Sequence, residues 1–374
     1  MIKQENLFFN TIQCICFLFW GIPEIFQKPF KILLLLFLFY ISLIYIRRKG
    51  NILWGLIGPL IGIVLLGNSI IHTNFQTSVL NISLSFFCIP LVSGFAHKFT
   101  DIQKQKARKI AVILCFCMFM QLCIFRSGDG RPTLGYEINW SAAYLFIFYI
   151  YCDYIGSKIG KWFVIITSFL LLSRLLILSL IVCVVLKWIF NKLNFNFKFN
   201  LYLVELLVYI SFFAFNVYFL ANVEKGDDYD TSINRLSSVN DGSNMLRFTI
   251  NVKLLDGLIY DENLKFGYGQ IATSNNTNLY NEYKDRYFLM PHNELLDTIA
   301  EFGYIFTLFS WFFSTHFFSK IFRDYNYSYF IPILIYTLIL WARFLVVPSI
   351  EMFFLLSLLT LHKDEAVSNN FLSK

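Results

Sequence analysis

Apolar runs long enough to cross a bilayer recur along the chain, near residues 7–22, 31–46, 52–72, 79–97, 110–125 and 140–156. A second set follows near 162–172, 175–190, 201–221, 295–318, 329–345 and 349–361. The pattern predicts an all-α polytopic membrane protein with about 12 transmembrane helices, since a spanning helix satisfies its own backbone in lipid. One polar interval, 222–294, interrupts it and reads as a large extracytoplasmic loop within a single transmembrane domain, 1–374.

Charge decides how the stretch 162–190 is divided. It is long for one span and is interrupted by Ser173-Arg174. As a single helix it would put Lys187, Lys192 and Lys198 on the side opposite Arg47, Arg48 and Lys49. Two short helices meeting at Ser173-Arg174 keep all of these with Lys3, Lys98, Lys104, Lys106, Arg108, Lys109, Lys158, Lys161, Lys320, Arg323 and Lys363 on one, cytoplasmic side. Both termini are then expected in the cytoplasm. Arg126, Arg131, Arg174 and the long loop face the other side.

Composition agrees. The chain is 57% hydrophobic and 15% charged, and its 44 Phe and 21 Tyr exceed what a water-soluble core takes up. The net charge of +7 is explained by basic residues in short loops and implies no nucleic acid. All eight cysteines fall in apolar segments, so neither a disulfide framework nor a metal site is expected, and the thiols read as buried and inert. The apolar run after Lys3 lacks a small-residue cleavage site before Pro23 and reads as a retained first helix.

Chemistry is expected at Pro291-His292-Asn293-Glu294-Leu295-Leu296, where the polar loop closes and an apolar helix opens. Pro291 suits a first helical turn, and Leu295, Leu296, Ile299 and Phe302 keep a helical apolar spacing. The positive end of that helix favours a neutral His292 imidazole, able to accept a proton. A capping histidine at the membrane interface has the same local pattern. Within the loop, 224–244 is acidic, 244–260 predicts an amphipathic helix carrying Arg247, and Phe266-Gly267-Tyr268-Gly269 predicts a turn.

Arg174 interrupts an apolar run, at roughly 3 kcal/mol on insertion scales unless an anion or a water-filled cavity meets it. Snorkelling or a structural carboxylate would satisfy it equally. Arg126 and Arg131 sit on a short loop where solvation is the bland account, and Arg343 lies near a membrane boundary. Several guanidiniums and one neutral imidazole on one face suit a phosphate-bearing ligand, because arginine stays charged and binds phosphate bidentately. Asp227-Asp228-Tyr229-Asp230 lacks the glycine and distal glutamate of a calcium loop. No P-loop, GxSxG or CxxC pair occurs, which sets aside ATP-driven pumps and serine hydrolases.

Four pieces in order resemble the bacterial O-antigen ligase and polymerase superfamily. These are Arg131-Pro132-Thr133-Leu134-Gly135 with Asn139 and Ser141-Ala142-Ala143-Tyr144, then Ser173-Arg174, then Arg247 with Gly267-Tyr268-Gly269, then Pro291-His292-Asn293 with Glu301-Phe302-Gly303. The chain departs from the family in lacking a second glycine after Gly303, where Tyr304-Ile305-Phe306 follows. The resemblance implies a fold similar to membrane glycosyltransferases of the C type, in the bacterial inner membrane with a periplasmic active face. It implies transfer of a glycan from an undecaprenyl diphosphate carrier by an inverting reaction without metal or other cofactor. Carried over, His292 is the catalytic base and Arg131, Arg174 and Arg247 bind the diphosphate, with Arg126, Asn293 and Arg343 as secondary candidates.

The implied acceptor is lipid A–core for a ligase or a lipid-linked repeat unit for a polymerase. Besides membrane lipids, chain-length regulator or flippase proteins are the implied partners. The Arg131-to-Tyr144 spacing and Trp341-Ala342-Arg343 look more like ligases. A polysaccharide or lipid transporter would also use arginines, though no duplicated half is visible.

Overall fold

A computed structural model describes residues 4–49, 52–72, 77–128, 130–136, 138–171, 173–193, 210, 214, 242–269, 277–287 and 294–322. Regular structure among these residues is helical, apart from one isolated bridge between Arg126 and Pro132. Helix α1 (Gln4–Cys16) runs into a π turn (Phe17–Gly21), and α2 (Glu24–Lys49), α3 (Ile52–His72), α4 (Thr77–Phe87) and α5 (Ile89–Phe95) follow. Next come α6 (Asp101–Ile124), α7 (Ile138–Ile155), α8 (Lys158–Leu170) and α9 (Arg174–Leu193). After the acidic stretch lie α10 (Gly242–Tyr260), a 3-10 turn (Glu262–Lys265), α11 (Thr277–Tyr287) and α12 (Glu294–Phe322).

Two segments, Glu24–Arg48 and Asp101–Ile124, are each long and apolar enough to cross a membrane. Their outward positions carry large apolar side chains, including Leu33, Leu36, Tyr40, Ile113 and Phe116, as a surface against lipid does. The described residues thus bear out the all-helical class. The spans expected at 201–221, 329–345 and 349–361 lie almost wholly outside them, so the count of about 12 rests on the apolar pattern.

The expected break at Ser173-Arg174 is present: α8 ends at Leu170 and α9 starts at Arg174. Asp153 near the end of α7 receives Lys161 of α8 at 2.9 Å and Lys187 of α9 at 2.8 Å. One carboxylate therefore ties an early turn of α8 to a late turn of α9, and the two helices run antiparallel. At 1.5 Å per residue, the 13 residues of α8 carry the chain roughly 20 Å away from Asp153 before α9 returns. The start of α9 accordingly lies at the same end of the bundle as the start of α7.

Polar contacts fix the other helices in the same frame. At the Asp153 end, Arg108 of α6 donates to Ile155 O at 2.7 Å, and Phe99 N donates to the Tyr154 hydroxyl at 3.2 Å. The same end holds the Thr100–Gln103 capping box that starts α6 and the Ser157 cap that starts α8. At the opposite end, Gln121 donates to Trp20 O at 3.0 Å, and Trp20 donates to Tyr144 O at 3.0 Å. All eight cysteines are free, but Cys14 and Cys123 are exposed, so only Cys16, Cys88, Cys115, Cys152 and Cys183 match the expectation of buried thiols.

A second, smaller core gathers Ile250 and Leu254 of α10, Leu264 of the 3-10 turn, Tyr268 just after it, and Tyr283 and Tyr287 of α11. Leu296, Ile299 and Ala300 of α12 complete it. The expected amphipathic helix 244–260 is thus real: Leu254 is buried in this core, with Leu255 and Leu258 packed against it. Helix α12 serves both cores, because Phe302 is buried in the main bundle and Phe306 and Trp311 pack against it.

Candidate active site

The loop between α6 and α7 is a tight, internally bonded turn. Ser127 N donates to Arg131 O at 2.9 Å, Gly130 N donates to Ser127 O at 2.9 Å, and Gly130 takes a φ of 81°. Thr133 N closes it onto Phe125 O at 3.1 Å. Ser141 in the first turn of α7 accepts from Leu134 N at 3.1 Å, so a side chain of the bundle holds the turn from below. Tyr136 stacks near Tyr144, their ring centres 4.4 Å apart, and hydrogen-bonds Gln27 of α2.

Arg126 and Arg131 flank this turn, with an isolated bridge joining Arg126 to Pro132. Arg126 donates to Leu122 O at 3.1 Å and so caps the C-terminal end of α6. Arg131 is half-buried. Arg174 opens α9 at this same end of the bundle, by the antiparallel path of α8 and α9. Arg247 lies on α10, the helix packed against α12 and the 3-10 turn. His292, Asn293 and Arg343 lie outside the described residues.

Pattern reading missed a cation. Lys31 of α2 is fully buried, with its Nζ 5.9 Å from the centre of the Phe19 ring. It is one helical turn beyond Gln27, the residue that bonds Tyr136. It stands first in the apolar run 31–46, and nothing local to the sequence marks its burial.

The two glycine motifs form one joint. Gly303, at φ 83° and ψ 158°, breaks α12 and frees the carbonyls before it. Tyr268 N donates to Ala300 O at 2.7 Å and Gly269 N donates to Glu301 O at 2.9 Å. The turn that sequence reading placed at Phe266–Gly269 therefore caps the helix that begins two residues after His292. Buried Asp261 stands behind this joint, accepting from the hydroxyls of Tyr268 at 2.6 Å and Tyr287 at 2.8 Å and pairing with Arg286 at 2.9 Å. Burial pushes both tyrosine hydroxyls well above their ordinary range, and the bond to Asp261 adds to the shift. The Asp261 charge in turn raises Arg286.

Residues 159–312 match the family model described as O-Antigen ligase. The matched segment is about two fifths of the chain, and the match supports membership of the O-antigen ligase/polymerase superfamily. The matched segment takes in Ser173-Arg174, Arg247, both glycine motifs and His292-Asn293, three of the four pieces on which the resemblance stands. No curated protein and no solved structure matches the chain. O-antigen ligases are membrane-integral glycosyltransferases of lipopolysaccharide biosynthesis that act on lipid-linked glycans, and the apolar helices here accord with that. Among the described residues no group of His, Cys, Asp and Glu is arranged to hold a metal ion.

Proposed function

We propose that this protein is an inverting glycosyltransferase that moves a glycan from an undecaprenyl diphosphate carrier to the lipid A–core acceptor on the periplasmic face of the inner membrane. In the reaction the acceptor hydroxyl oxygen attacks the anomeric carbon from the side opposite the diphosphate. The carbon–oxygen bond to phosphate breaks, its electron pair leaves on the diphosphate, and His292 takes the hydroxyl proton. Arg131, Arg174 and Arg247 bind the diphosphate and meet the charge that grows on it, so the chemistry as written needs no metal or nucleotide.

The observation that carries this reading is the shared end of the bundle. The Arg131 turn, the start of α9 at Arg174 and Lys31, one helical turn from the Gln27 that bonds Tyr136, lie toward that end.

The test uses purified wild-type and His292→Ala protein with a lipid diphosphate-linked glycan, with and without lipid A–core. Transfer to lipid A–core that the substitution abolishes supports the ligase. Chain growth on donor alone makes the protein a polymerase. Lipid movement across vesicles without glycosyl transfer overturns the enzyme reading.

A further inference from the structure

The most exposed large apolar side chains among the described residues stand close together in the chain. Tyr260 is 77% exposed, Ile259 75% and Phe266 70%, more than any large apolar side chain of the spans α2 and α6. Ile259 and Tyr260 end α10, and Phe266 follows the 3-10 turn. The backbone that carries them is a built platform. Asp261 N donates to Gly257 O at 2.7 Å, Leu264 N to Asp261 O at 3.1 Å, and Gly267 N to Asn263 O at 2.8 Å. Asp261 and Leu264 point into the smaller core, which leaves their neighbours Tyr260 and Phe266 outside it.

This platform abuts the helix that enters the main bundle. A Cβ on Gly303 would lie 2.6 Å from the carbonyl carbon of Phe266, so the Phe266 main chain touches α12 at its break. Past the break α12 presents an exposed apolar stripe of Ile305, Leu308, Phe309 and Phe312, at the spacing of one helix face. Phe302, Phe306 and Trp311 of the same helix pack into the bundle. The helical rise puts Ile305 only about 3 Å beyond Gly303 along the axis. Phe266 therefore stands at the level where the outward apolar stripe of α12 begins.

Polarity returns away from that joint. Back along α10 the exposed positions turn polar at Asp256 and Lys253, and α11 presents Asn281, Lys284, Asp285 and Arg286 outward. Lys265 lies beside the apolar edge, its Nζ 5.6 Å from the Phe266 ring centre, and Glu262 is the exposed carboxylate of the turn. Aromatic rings next to a lysine suit the boundary of headgroups and acyl chains, where the ring reaches inward and the ammonium stays at the phosphates.

We propose that Ile259, Tyr260 and Phe266 form a membrane footing, set into the headgroup–acyl boundary of the phospholipid leaflet that α12 enters. Lys265 meets the lipid phosphates beside it. The footing holds the smaller core against the bilayer and continues the apolar stripe of α12. It does not depend on the glycosyl-transfer reading.

The experiment uses the full chain in nanodiscs of phosphatidylethanolamine and phosphatidylglycerol, doped with a phospholipid that carries a diazirine near the glycerol end of one acyl chain. After illumination and proteolysis, carbene adducts are mapped by mass spectrometry. The footing predicts adducts on Ile259, Tyr260 and Phe266 as well as on Ile305–Phe312, at a yield about tenfold above that on α11. In F266D the Tyr260 adducts fall while those on Ile305–Phe312 persist, because a carboxylate lifts the edge out of the boundary.

Adducts on Ile305–Phe312 with none on 259–266 overturn the proposal, whether water or a second copy of the chain covers the edge instead. Equal yield on α11 also overturns it, as does undiminished Tyr260 labelling in F266D. If F266D fails to fold, the adduct map of the unsubstituted protein decides alone.

Discussion

Gly267 and Gly303 lock together backbone to backbone. A Cβ on Gly267 would lie 2.4 Å from Glu301 O, and one on Gly303 would lie 2.3 Å from Lys265 O. Both residues hold φ near 80°, which side chains disfavour. The joint is where α12 passes from the smaller core to the main bundle.

Replacing either glycine by alanine should undo that joint. Backbone strain alone costs about 1–3 kcal/mol, and the overlap with a carbonyl oxygen adds to it. Amide hydrogen exchange should rise at Tyr268, Gly269 and the first turns of α12 in both variants, while α6 and α7 stay protected. Equal protection in variant and wild type would contradict the close approach.

Arg126 and Arg131 should behave differently although they flank one turn. Arg126→Ala removes a helix cap and should lower thermal stability by about 1 kcal/mol or less, with donor KM unchanged. Arg131→Ala should raise donor KM. Indistinguishable donor kinetics in the two variants would remove Arg131 from the proposed phosphate site.

Arg174→Lys should fail to rescue what Arg174→Ala loses. Lysine keeps the charge but not the planar fork that grips two phosphate oxygens, so transition-state stabilisation should remain reduced by about 1–2 kcal/mol, read as kcat/KM. Full activity with lysine would assign Arg174 a general electrostatic part.

Alkaline pH should loosen the smaller core. Tyr268 and Tyr287 must keep their protons to donate to Asp261, and their folded pKa values are raised. An unfolded tyrosine titrates near about 10, so their contribution is complete below that pH and is lost as pH climbs toward the folded values. Hydrogen exchange of α11, corrected for its intrinsic pH dependence, should therefore be flat to about pH 10 and rise above it. Y287F should flatten part of that rise; an unchanged profile would show that the hydroxyl carries none of it.

Much of this protein was legible in one dimension. Bilayer-length apolar runs dictated helices, and the basic residues after Gly156 demanded the break at Ser173-Arg174, because orientation follows charge counted along the chain. Asp153, Lys161 and Lys187 then show that break in space. The four family motifs were readable because each needs a residue type, glycine or arginine, that lipid-facing helices rarely keep without cause.

Tertiary structure alone decided what those motifs do to one another. That Gly267 docks on Gly303 and that Asp261 gathers two tyrosines and Arg286 depend on contacts between segments apart in sequence. Periodicity records which face of a helix is apolar, and it carries no record of which partner meets that face. Lys31 shows the limit most plainly: its burial comes from Phe19 and the neighbouring helices, none of which the local pattern around it encodes.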